Sequence, residues 1–385
     1  MKIAILTLPL HTNYGGILQC YALQTVLEGM GHQVTVLNRR WPGPNAQQLV
    51  ARRFASLAKS IVKKYLMRRK DIALMSPWAE NYTIYKAEKR RFIEIERFIK
   101  EHIHLTKPLQ SSDELRKYVE ANEIDCIVVG SDQVWREIYG PCIEDYFLGF
   151  LPEDDKRVKV AYAASFGTAD SPISEDHLKN CIPLAKRFSS ISVREQSGVE
   201  IMKNIFGLDA KLHLDPTLLL SAEQYKFPVK DMEKGSLVSY ILDETEDKTA
   251  ISQEISKALH LKNKKLRLNT TSQDDEAVLL PSIEEWLSSF ANAEFVVTDS
   301  FHGCVFSIIN HKPFIAIANK DRGLERFTSL LKTFRLSERL FFNYDEFSRK
   351  KDVLLEPIDN ESTDIIREGL INSSLDYLLR SIKLG

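Results

Sequence analysis

Cysteine is scarce in this chain, and what there is forms no pattern. Five are scattered along it, at Cys20, Cys126, Cys142, Cys181 and Cys304, with no Cys-x-x-Cys pair and no Cys/His spacing suited to zinc. That argues against a disulfide framework and predicts reduced thiols in a cytoplasmic protein with no metal site. Long apolar runs are also missing: none approaches the ~18–20 residues needed to span a bilayer. The opening MKIAILTLPLH has the lysine and apolar stretch of a short signal peptide but no small-x-small cleavage site, and it passes at once into the polar turn HTNYGG. A first buried strand accounts for it better. Charge of one sign is lacking as well. With 52 Lys and Arg against 53 Asp and Glu, the net charge of −1 gives no global field that would draw in nucleic acid. Any anion site has to be built locally. Neither an internal repeat nor a low-complexity tract is present. What remains is a globular profile, 44% hydrophobic and 27% charged, over 385 residues. That length suits two domains of roughly 150–200 residues each.

Short apolar runs alternate with helical patterns from the start, which predicts parallel sheets flanked by helices. Strands are expected near 2–8, 33–38, 124–129, 158–164, 189–193 and 210–214, with a first helix over about 16–30. A linker near 221–234 leads into a second unit. Its strands are expected near 236–242, 264–269, 277–280, 294–298 and 313–318, and its helices at about 247–260, 282–291, 303–311 and 324–334. The fold class is α/β: two Rossmann-like domains, 1–220 and 235–345, facing across a cleft, followed by an amphipathic C-terminal helix over 360–385. A helical insertion over about 45–105 interrupts the first domain. Its first helix sets Arg52, Arg53, Lys59, Lys63, Lys64, Arg68, Arg69 and Lys70 around an apolar stripe. A solvated helical hairpin explains such a face, and so does peripheral contact with anionic lipid through 50–74 at the inner membrane face.

Ligands in sheets of this kind bind beyond the carboxyl ends of the strands, so polar clusters there carry weight. After the first strand, Asn13, Tyr14, Gly15, Gly16 and Gln19 open a helix. The two glycines either let the backbone approach a ligand at a helix N-terminus or satisfy a tight turn. After the third strand, GSDQVW supplies Ser131, Asp132, Gln133 and Trp135. Asp132 is suited to capping a helix or to taking a proton from a substrate hydroxyl. Trp135 offers a face for a sugar ring, or else belongs to the core. After the fifth strand, the planar fork of Arg194 suits a carboxylate or phosphate, with a salt bridge to Glu195 as the structural alternative. The strongest cluster follows the strand FVVT. There Asp299 and Ser300 make a turn, and His302 falls in the first turn of a helix, a residue able to transfer protons near neutral pH. Lys320, Arg322 and Arg326 come after the next strand and would clamp an anion beside it.

In order, NYGGILQCYALQ, VVGSDQVW, AYAASFGT, SVREQSG, LDPTLL and PSIEEWLSSFANAEFVVTDSFHG resemble the polysaccharide pyruvyl transferase family. The resemblance implies a fold similar to the two-domain B-type glycosyltransferases. It implies an enzyme that moves the pyruvyl group of phosphoenolpyruvate onto two sugar hydroxyls, forming a cyclic ketal and releasing phosphate, in cell-surface polysaccharide (exopolysaccharide or capsule) biosynthesis. Phosphoenolpyruvate would be the donor substrate, with no cofactor. It further implies Arg194 for the donor anion and His302 as the histidine before a glycine. Where many members read Arg-Leu-His-Gly, this chain reads Ser300-Phe301-His302-Gly303, so Lys320, Arg322 or Arg326 is expected to replace the missing charge. The expected site is therefore His302 and Asp132 as catalytic groups, with Arg194, Ser300, Lys320, Arg322 and Arg326 around phosphoenolpyruvate. Asn13, Tyr14, Gly15, Gly16, Gln19, Gln133 and Trp135 would surround the acceptor, a sugar or glycan either free or carried on a lipid. Two rivals stand beside this reading. One is a nucleotide-sugar glycosyltransferase, for which Glu325 is the nearest acidic residue to meet a ribose. The other is a non-catalytic homologue holding a phosphorylated ligand or glycan, for which Ser300 speaks.

Overall fold

A computed structural model describes residues 1–43, 93–229, 234–266, 281–319, 323–352 and 356–383. The basic helix expected over 50–74, the strand expected at 277–280, and Lys320 and Arg322 lie outside the described residues.

The first lobe is built on β1 (Lys2–Leu6), β2 (Gln33–Val36), β3 (Cys126–Val129), β4 (Val158–Ala164), β5 (Ser190–Val193) and β6 (Lys211–Leu212). They form one parallel sheet in the order β2-β1-β3-β4-β5-β6. Helices α1 (Tyr14–Gly29), α2 (93–102), α3 (Ser112–Ala121), α4 (Glu175–Ala185) and α5 (Gln196–Ile201) connect them. Every residue of β3 and β4 is buried, which is why CIVV and VKVAYAA read as continuous rather than alternating runs: helices cover both faces.

The second lobe repeats the plan with β7 (Ser236–Tyr240), β8 (Asn263–Lys265), β9 (Ala293–Thr298), β10 (Phe314–Ile317) and β11 (Leu340–Phe341), parallel in the order β11-β10-β9-β7-β8. Its helices are α6 (Glu246–Ala258), α7 (Ile283–Ala291), α8 (Phe301–Ile309), α9 (Leu324–Thr333) and α10 (Tyr344–Lys350). Helix α7 starts where the sequence Ser-x-x-Glu predicts: the Ser282 and Glu285 side chains each bond the other's backbone N–H.

In both sheets the strand order reverses once, between β1 and β3 and between β7 and β9. Crevices at such reversals are where open α/β sheets take ligands. Here the two crevices open into one shared cleft. An apolar core runs on through both lobes beneath it, joining Leu23, Val128 and Tyr162 to Val238, Trp286 and Phe306. Tyr14 at the start of α1 stacks on Trp286 of α7, centroids 5.5 Å apart, and its hydroxyl donates to the Pro281 carbonyl at 2.6 Å. The terminal helix α11 (Asn360–Lys383) returns to the first lobe, where the Tyr377 hydroxyl donates to the Ala161 carbonyl at 2.9 Å and Leu378 is buried. Among the described residues no helix is long and apolar enough to cross a membrane.

Candidate active site

Each strand-order reversal is held open by a polar tie. In the first lobe Gln19 donates to Thr7 Oγ1 at 3.0 Å and to the Gly16 carbonyl at 2.8 Å, and its Oε1 accepts the Ser131 N–H at 3.0 Å. One side chain thus fixes the ends of β1 and β3. In the second lobe Asp299 does the same for β7, β9 and β10. Its carboxylate accepts the Leu242 N–H at 2.6 Å, the Asp243 N–H at 3.2 Å, Lys248 Nζ at 2.7 Å and Asn319 Nδ2 at 3.0 Å. Buried polar groups satisfied this fully make rigid strand ends.

The cleft between them has a volume of about 460 Å³, in the range of small-molecule sites. His302 lines it from the second lobe. Ser300 caps α8, its Oγ accepting the Gly303 N–H at 3.4 Å, and so sets the turn from which His302 projects. The imidazole lies against Gly15 of the first lobe so closely that a Cβ there would collide with Nδ1. The close approach that the paired glycines permit is made by this histidine. On its other side Nε2 stands 3.7 Å from Asp215 Oδ2, again across the lobe boundary. Asp215 also accepts from Thr217 N at 3.0 Å and from Thr217 Oγ1 at 2.6 Å, and it pairs with Arg194 Nη1. Burial alone would raise the Asp215 carboxyl, but the neighbouring His302 imidazole and the Arg194 guanidinium hold it well below the usual carboxylate range.

Arg326 of α9 is a guanidinium that lines the cleft, with Nη1 3.8 Å from Asp132 Oδ1. Burial, then the nearby Arg194, push its guanidinium down to about 10, which leaves it a cation at neutral pH. Phe301 lies against both guanidiniums, its ring centroid 4.8 Å from Arg194 Cζ and 5.4 Å from Arg326 Cζ. Asp132 adopts φ 66°, a left-handed turn that aspartate tolerates, and this brings its carboxylate to the cleft wall.

Other expected residues fall into two groups. Asn13, Gly16, Gln133 and Ser300 line the cleft alongside Asp132, His302 and Arg326. Five do not line it: Tyr14, Gly15, Gln19, Trp135 and Arg194. Tyr14 is buried as the lobe-bridging ring, Gly15 lies against the His302 imidazole, and Gln19 is buried as the strand tie, so the expected acceptor wall is not formed by these three. Trp135 is 0% exposed, stacked on Phe147 at 5.1 Å, with Nε1 donating to the Tyr146 carbonyl at 3.1 Å. The turn at Asp132 sends the following chain inward. Arg194 is no surface fork for an anion either. It is buried among Asp215, Asp132 (Nη2 to Oδ1, 3.4 Å) and Glu195, behind the ring of Phe301. Burial favours loss of its proton, but those three carboxylates outweigh it and raise its pKa. The residue that sequence reasoning passed over is Asp215. Its only signal was Asp before Pro in LDPTLL, which reads as a turn cap. Among the described residues no cluster of His, Cys, Asp and Glu is placed to hold a metal.

Two parallel α/β lobes with ligand crevices opposed across one cleft define the two-domain fold of the B-type glycosyltransferases. Solved structures agree on the fold. A putative UDP-N-acetylglucosamine 2-epimerase from Listeria monocytogenes matches with a TM-score of 0.53 at 12% identity, over 99% of this chain and 95% of that one. The UDP-GlcNAc 2-epimerase from Neisseria meningitidis, bound to UDP-GlcNAc, matches with a TM-score of 0.50 at 10% identity over the whole of both chains. No curated protein matches the chain in sequence. The chain belongs to the polysaccharide pyruvyl transferase family, whose family model matches residues 13–321, and the family is one of transferases.

Proposed function

We propose that this cleft transfers the pyruvyl group of phosphoenolpyruvate to two hydroxyls of a sugar, in the assembly of a cell-surface polysaccharide. The observation that carries the reading is the meeting of His302, Asp215 and Arg326 where the two lobes touch. Phosphoenolpyruvate is an enol phosphate, so its C3 must take a proton before C2 becomes electrophilic. One acceptor hydroxyl then bonds to C2. Phosphate leaves with the C–O electron pair, and the second hydroxyl closes the ketal. Of the two hydroxyl protons, one balances the proton gained at C3 and the other ends on phosphate.

The chemistry asks for an acid near C3 and for positive charge around the phosphate and carboxylate. His302 is the acid in this account. Asp215 holds the ring in place from behind, and Gly15 gives it room. Arg326 meets the donor anion, taking the part of the arginine that Ser300 replaces, while Arg194 ties Asp215 and Asp132 into one rigid wall. Asp132, at the cleft surface, takes the acceptor hydroxyl's proton. No cofactor enters the scheme.

The test is phosphate release from phosphoenolpyruvate in the presence of candidate glycans. Release that depends on an acceptor and is lost in His302→Ala supports the reading. Stabilisation and turnover with UDP-GlcNAc, and none with phosphoenolpyruvate, contradict it.

A further inference from the structure

The cleft is larger than a three-carbon enol phosphate requires, and its outer rim differs in character from its floor. The floor carries His302, Asp132 and Arg326. The rim on the first lobe carries Trp41, Ile138 and Tyr139. Trp41 is 48% exposed and Ile138 71% exposed, whereas Trp135 and Trp286 are 0% exposed. Covering such side chains takes apolar surface out of water, so their exposure together on a ligand cleft calls for an occupant.

The backbone leading to Trp41 is firmly held. Arg39 makes a buried ion pair with Asp145, Nε to Oδ2 at 2.7 Å. Arg40 donates to Asn38 Oδ1 at 2.6 Å and to the Leu10 carbonyl at 2.8 Å, and its backbone N–H donates to the Leu109 carbonyl at 2.9 Å. Arg40 Nη1 also lies 2.6 Å from His11 Nε2. Burial and that neighbouring charge lower the pKa of His11, so its ring is neutral near pH 7. Near Tyr139, the Arg136 guanidinium sits 4.7 Å from the ring centroid and fixes its orientation. Thr12, Asn13 and Gln133 add neutral hydroxyl and amide groups to the same cleft, while the Arg136 guanidinium is engaged by the Tyr139 ring and the cation Arg326 belongs to the opposite lobe.

Flat apolar surface edged by neutral hydroxyl and amide groups matches the pyranose ring, which has an apolar C–H face and a hydroxyl rim. We infer that Trp41 and Tyr139 form the platform on which a pyranose of the acceptor rests, with Asn13 and Gln133 bonding its hydroxyls. This inference rests on the pyruvyl-transfer reading for the word acceptor, but not for the sugar itself. It also replaces Trp135 by Trp41 as the stacking tryptophan.

Intrinsic tryptophan emission, compared between the wild-type chain and Trp41→Phe, tests it, because Trp41 is exposed at the site while the other described tryptophans, Trp135 and Trp286, are buried. The full chain is titrated with the methyl glycosides of mannose, galactose and N-acetylglucosamine, and separately with UDP. At least one glycoside is expected to change the emission saturably, and Trp41→Phe to remove that change. Trp41→Ala and Tyr139→Ala are expected to weaken that glycoside's binding at least ten-fold while the thermal shift given by phosphoenolpyruvate stays at the wild-type value. The inference is overturned if no glycoside alters the emission, if Trp41→Ala binds as wild type does, or if UDP binds at Trp41 more tightly than every glycoside. A protein that binds a glycoside on Trp41 but is not stabilised by phosphoenolpyruvate keeps this inference and loses the donor reading, so the two failures are separable.

Discussion

A methyl group added at Gly15 would strike the His302 ring, so Gly15→Ala must displace either the imidazole or the start of α1. General acid–base groups contribute about 10²–10⁴ in rate, and Gly15→Ala is expected to lose a large part of that, as His302→Ala does. Stopped assays of phosphate release measure the loss, and a Gly15→Ala protein of wild-type turnover would remove the histidine from the mechanism. Arg326 can be judged by donor affinity. A hydrogen bond to a charged group is worth roughly 1.5–3 kcal/mol, so Arg326→Ala should raise the phosphoenolpyruvate Kd about ten- to hundred-fold in calorimetry. An unchanged Kd would mean another cation holds the donor. Asp215 couples the site to stability. Its folded pKa lies below the unfolded value of 3.8, so its contribution is complete above that value and is lost as pH falls below it towards the folded pKa. Asp215→Asn leaves Arg194 buried with less compensation. It should cost about 3–5 kcal/mol at pH 7 and flatten the acid limb of the stability profile, as read by urea unfolding across pH. A variant as stable as wild type would show that the pair is not a structural element.

At the scale of elements, most strands were legible because each is a short apolar run between turn residues. Strand β4 spans Val158–Ala164, the range its sequence predicts. Strand β11 was missed, since two residues at a sheet edge carry no pattern. The start of α1 at Tyr14 rather than near 16 was also missed: Asn13 stands at the N-cap but its side chain makes no cap hydrogen bond, and Tyr14 is fixed instead by Trp286 from the other lobe. Helix α11 was legible as amphipathic, yet nothing local said that it packs on the first lobe. Its docking has a pH dependence. His213, just past β6, lies 4.5 Å from the Tyr377 ring, and burial followed by Lys211 holds its pKa down to about 4. Because the folded value is below the unfolded 6.5, the unfolded chain binds the extra proton in between, and stability falls as pH drops from 6.5 towards 4. Thermal scans should show this fall, and His213→Phe should reduce it. An equal slope in the variant would place the acid sensitivity elsewhere.

For the whole molecule, two α/β lobes and the importance of strand ends followed from pattern alone. The pairing of Asp215 with His302 did not, because the two residues come from different lobes and no local pattern says how lobes meet. Trp135 shows the same limit from the other side. A tryptophan after GSDQ reads as part of a ligand wall until the left-handed turn at Asp132 is known. The site is thus a property of lobe apposition, with His302 on one lobe and Asp215 on the other. Running the reaction in D₂O with phosphoenolpyruvate and an accepted glycan tests this most directly, with the product methyl group examined by mass and NMR. The account predicts a ketal whose methyl carries one solvent deuterium, formed by the wild-type protein and lost in His302→Ala. A ketal made at an undiminished rate by His302→Ala, or a methyl group without solvent deuterium, would contradict it.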